Sequence, residues 1–82
     1  FLKNSLSEVV WLCEEVLLLD ARNPTALVRL GSALYLSGRY SEARIALKKA
    51  LLAETRDAEA MNLRFMLAQA EKKIAAQAEG KP

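Results

Sequence analysis

The sequence predicts an all-α fold of four antiparallel helices arranged as a helix-turn-helix repeat. Three observations lead there. Ala and Leu dominate a chain of 82 residues that is 52% hydrophobic and has only three Gly and two Pro; Ala and Leu enter helices at little entropic cost. Helix-capping residues recur at four points, and the turns between them are two to four residues long, so neighbouring helices must run antiparallel. The chain also matches itself when shifted by 34 residues, a spacing typical of stacked helical repeats. So short a chain has material for one hydrophobic core only, and a single domain is expected over residues 1–78 with a flexible tail at 79–82.

The elements follow from local chemistry. Ser5-Leu6-Ser7-Glu8 reads as a capping box, in which the serine accepts a backbone N–H and the glutamate reaches back, opening a helix over about 5–21. Asn23-Pro24 pairs an N-cap with a proline at the first helical position, where its missing N–H costs nothing. That second helix is expected over 24–38, ending at Gly38, which tolerates a left-handed cap. Ser41 caps a third helix over 41–54. Asp57 opens a fourth over 57–76, which frays in the terminal "AAQAEGKP".

The shift of 34 lays residues 16–27 over 50–61. Leu17 falls on Leu51, Leu18 on Leu52, Asp20 on Glu54, Asn23 on Asp57, Ala26 on Ala60 and Leu27 on Met61. From Pro24 to Asp57 the order Leu27, Leu30-Gly31, Leu34, Gly38, Tyr40, Ala43, Leu47 and Ala50-Leu51 resembles the tetratricopeptide repeat family. The resemblance implies a short right-handed superhelical fragment with one complete repeat. Helix one would be the second half of an earlier unit and helix four the first half of a later one. Small Gly31 and Ala43 let the helices of the unit approach, and Leu27, Leu30 and Leu34 fill their seam. Thr55 stands where the family often has proline. Arg64 and Phe65 replace the Leu-Gly pair, so helix four cannot pack as helix two does.

At 100° per residue, Val9, Leu12, Cys13 and Val16 share the face of helix one that such packing buries. Trp11 and Leu18 project on the other side, flanked by Glu8, Glu14 and Glu15. Helix four has two stripes, Met61/Phe65/Ala68 and Leu63/Leu67/Ala70/Ile74. Two readings of this surplus stand side by side. The chain, which starts at Phe1, is a piece of a longer array; or Trp11 and Leu18, or Leu63, Leu67 and Ile74, pack against another copy or a partner helix.

The resemblance also implies non-catalytic protein–protein interaction through the inner face of the first helix of each unit. Here that face would present Thr25, Val28, Ser32, Tyr35 and Leu36, with Glu59, Asn62 and Met66 from helix four. This mixed, somewhat apolar set suits a partner helix or an extended apolar peptide. It lacks the Lys/Asn/Arg set with which some relatives hold a carboxylate-ended tail, since Val28 and Ser32 occupy those places. The plainer alternative is that Val28 and Tyr35 only cover the helix seam.

Catalysis and cofactor binding find no support. The chain has no histidine and a single cysteine, so neither the commonest general base nor an intramolecular disulfide is available. Cys13 reads as a buried structural thiol. Glu14 and Glu15 diverge by 100° and read as solvated charge. No metal or cofactor site is expected. From Val9 to Leu19 nine of eleven residues are apolar, too few to span a bilayer, and the two glutamates would sit mid-span. The net charge of +2 does not suggest nucleic acid. A DNA-reading helix-turn-helix using Arg39, Arg44, Lys48 and Lys49 fits the short helices but not the 34-residue register. Protein partners and a homo-oligomer remain the expectation.

Overall fold

A computed structural model describes residues 2–53 and 56–79, with side chains placed for 5–53 and 56–78. Four helices follow one another: α1 Leu2–Leu19, α2 Pro24–Leu36, α3 Tyr40–Ala53 and α4 Asp57–Glu79. Among the described residues there is no strand, so the all-α reading holds. Position 54, expected to end helix three, and positions 80–82 of the expected tail lie outside the described residues, while Glu79, expected to begin that tail, is the last residue of α4.

The turn chemistry of α2 matches its reading. Asn23 Oδ1 accepts the Ala26 N–H at 3.0 Å, and Pro24 occupies the first turn. At the other end Gly38 has φ +82°, a left-handed conformation that a Cβ would strain. Around it the Arg39 N–H donates to Leu34 O at 2.9 Å and the Gly38 N–H to Tyr35 O at 3.0 Å. This pair of bonds is a Schellman cap, which satisfies carbonyls the helix end would otherwise orphan.

Two serine caps are not used. α1 is already helical at Leu2, so Ser5 and Glu8 lie within it. Half-buried Leu6 packs against the core, and a serine followed three residues on by glutamate is equally at home inside a helix. α3 starts at Tyr40, and Ser41 is therefore past the cap. Arg39 takes the cap position: its carbonyl accepts the Ala43 N–H at 2.9 Å, and its guanidinium grips the Glu42 carboxylate through Nε and Nη2, both at 2.8 Å. This fork holds the Glu42 carboxyl below its ordinary pKa. The sign follows: its contribution is present above the ordinary carboxylate value and is lost as pH falls through the lowered one. α1 ends at Leu19 rather than near 21, and α4 runs on to Glu79 without fraying at 76.

Each helix packs against the next in the chain, and α2 and α4 touch only lightly. The centre is the α2–α3 seam. Leu27, Leu30 and Leu34 from α2 meet Ala43, Ala46, Leu47 and Ala50 from α3, all buried. A Cβ on Gly31 would lie 2.6 Å from Leu47 Cδ2 and 2.9 Å from its Cγ, so the missing side chain sets how closely these helices approach.

The flanking helices turn different faces inward from those expected. In α1 the core takes Val10 and Cys13, supported by half-buried Leu6 and Leu17, while Val9, Leu12 and Val16 are exposed. In α4 the core takes Ala60, Leu63 and Ala70, with Leu67 packed against it; Met61 and Phe65 are each 67% exposed. Both corrections have one cause. The face that would meet the other half of a repeat has no such neighbour here, and each end helix rests on its inner side alone.

Candidate peptide-binding groove

Residues one repeat apart converge on the light α2–α4 contact. Ser32 and Met66 are separated by 34 positions, and the serine hydroxyl donates to the Met66 sulfur at 3.6 Å. Beside them Tyr35, Leu36, Phe65 and Gln69 complete an almost wholly apolar hollow of about 230 Å³. The Tyr35 ring is held edge-on by Tyr40, with ring centroids 5.3 Å apart and an interplanar angle of 65°. Tyr40 sits at the first turn of α3, so the Gly38 turn also orients the wall of the hollow. Its solvent-facing rims are Leu36 and Phe65, both exposed.

A second hollow of about 370 Å³ opens between α1 and α3. Leu27, Leu30 and Leu34 line it together with Glu14, Glu42 and Lys49. It lies over the central seam and carries charge of both signs, whereas the Ser32–Met66 hollow brings the same position of two successive units together.

The family model of the tetratricopeptide repeat matches residues 7–70. The chain belongs to the tetratricopeptide repeat family. α2 and α3 are the first and second helices of its complete repeat, α1 a preceding second helix and α4 a following first helix. Tetratricopeptide repeats generally serve protein–protein interaction and scaffolding and are typically non-catalytic. Comparison with curated proteins and with solved structures gives no match.

Of the inner-face residues expected of this tetratricopeptide repeat, Ser32, Tyr35, Leu36 and Met66 line the hollow. Thr25, Val28, Glu59 and Asn62 do not. Val28 and Tyr35 are both half-buried and packed against the core, and Tyr35 lines the hollow as well. Phe65 and Gln69 are additions. The repeat register contains both: Gln69 is the counterpart of Tyr35, and Phe65 stands where the complete unit has Gly31.

Of the residues read as an outer interface, Trp11 and Leu18 are exposed. Leu63 is 1% exposed and belongs to the core, and Leu67 and Ile74 are half-buried. Leu63 is therefore withdrawn from any interface: α4 needs that stripe to rest on α3. Cys13 is buried, and burial raises its thiol pKa, so the protonated form dominates at neutral pH. Among the described residues no three His, Cys, Asp or Glu side chains gather as metal ligands, and no helix is long and apolar enough to cross a membrane.

Proposed function

We propose that the chain is a non-catalytic interaction module that takes an apolar side chain of a partner peptide or helix into the hollow between α2 and α4. The supporting observation is the almost wholly apolar wall formed by Tyr35, Leu36, Phe65 and Met66, beside which the Ser32 hydroxyl is already engaged by the Met66 sulfur. A hollow of this kind favours burial of a large apolar anchor over recognition of charge. Neither hollow residue nor rim supplies a cation for a terminal carboxylate, which argues for an internal segment rather than a chain end.

Selection from a displayed library of random peptides tests this reading. Selected peptides should share a large apolar anchor, and Leu36→Glu should weaken their binding at least tenfold while leaving the helical circular-dichroism spectrum unchanged. Leu36 is exposed, so the substitution spares the core. Peptides without a shared apolar anchor, or binding indifferent to Leu36→Glu and Phe65→Ala, would refute it.

A further inference from the structure

The repeat register identifies what the two ends lack. A step of 34 residues carries α1 onto α3 and α2 onto α4. Ala43, Ala46 and Ala50, buried in α3, have Val9, Leu12 and Val16 as counterparts in α1, and all three are exposed. Leu27, Gly31 and Leu34, buried in α2, have Met61, Phe65 and Ala68 in α4, also exposed. Among the described residues α1 is thus a second helix without its first, and α4 a first helix without its second. A tight hairpin at the repeat register supplies neither. Gly38, which turns α2 into α3, has its counterparts at positions 4 and 72, and both lie inside helices.

We propose that α4 of one copy packs against α1 of the next, so that a complete repeat forms across the junction and copies join head to tail. Charge points to a second copy as the occupant. Within the chain, Leu30 shares a hollow with Glu42, Ile45 and Lys49. At the junction the same positions are Arg64, facing Glu8, Trp11 and Glu15 of the next copy. A guanidinium then meets two carboxylates and an indole face, where the internal repeat has a leucine. Size separates the junction from the internal seam: Gly31 has Phe65 as its counterpart, and Cys13, the counterpart of Leu47, is already buried within its own copy, so α4 cannot approach α1 as closely as α2 approaches α3. Val9, Leu12 and Val16 are bulkier than the alanines they replace, which sets the junction helices further apart than α2 and α3.

Such a contact is heterologous, so both ends of every copy stay competent and the array is open-ended. It concerns the ends of the molecule and shares only Phe65 with the groove, so Leu36→Glu tests the groove without touching the junction. Sedimentation velocity over a concentration series tests it with Leu12→Glu and Met61→Glu, two exposed positions that line neither hollow. The unaltered chain should rise from 9.1 kDa past the dimer as concentration increases. Each variant alone should lose every species above monomer. An equimolar mixture should form a one-to-one complex that grows no further, because each variant keeps one intact end. A concentration-independent monomer would overturn the proposal and leave these faces to another protein or to further segments of a longer chain. A variant that still dimerises alone, pointing to a symmetric contact, would overturn it too, as would a mixture that stays monomeric.

Discussion

Gly31 and Gly38 show two separate reasons for a residue without a side chain. At Gly38 nothing lies within 4 Å of an added Cβ, and the positive φ alone demands glycine. At Gly31 the backbone is ordinary helix, and the neighbour is the constraint. Leu47, fully buried, would sit 2.6 Å from the new atom. Gly31→Ala gains about 1 kcal/mol of helix propensity but meets an overpacking cost of about 1–3 kcal/mol. The expected outcome is a lower urea midpoint with an unchanged slope. A higher midpoint would mean that Leu47 can rotate away and that the α2–α3 distance is not set by this contact. The Leu30-Gly31 pair was legible in the sequence because a small residue inside an otherwise leucine-rich helix has no propensity reason to be there. Phe65 was harder to read, since its exposure depends on whether a neighbour covers that face of α4, and among the described residues none does.

At the level of elements, the signals that proved decisive are those with a single structural use. Asn23-Pro24 can open a helix but cannot continue one, and α2 begins there. Ser5 and Ser41 have two uses, as caps or as ordinary helical residues, and both are helical. The apolar stripes failed for a related reason. In α1 and α4 two stripes of similar hydrophobicity compete, and periodicity cannot say which one a neighbour covers. Four helices, their order and the central leucine stripe could be read from 82 letters; the inward faces of the end helices could not. The cap also makes a direct prediction. Asn23→Ala removes the acceptor for the Ala26 N–H, 3.0 Å away, and should cost about 1 kcal/mol. Asn23→Asp should recover most of that loss, because its carboxylate accepts the same bond and suits the positive end of the α2 dipole. Thermal melts of the pair check it: equal loss in both variants would show that the amide N–H group, rather than the acceptor oxygen, holds this end.

For the whole molecule, stacking is close to one-dimensional. α2 lies between α1 and α3, and α3 between α2 and α4, whereas the end helices are covered on one side each. The slab measures 42 × 31 × 18 Å, with a radius of gyration of 12.9 Å, so little of it is far from solvent. In such a stack stability is a sum of nearest-neighbour terms, and the ends open before the middle. Hydrogen exchange at low protein concentration should find the amides of α2 and α3 most protected and α1 less. The last turns of α4, where residues 75–78 are all exposed, should be least protected of all. Raising the concentration should then slow exchange in α1 and around Met61 and Phe65, with the end of α4 and the centre of α2 unchanged, because head-to-tail contact closes the open faces and nothing else. Uniform slowing across all four helices would instead mean one cooperative unit whose ends are as firmly held as its seam. In that case Val9, Leu12 and Val16 would be exposed without leaving α1 any weaker than its neighbours.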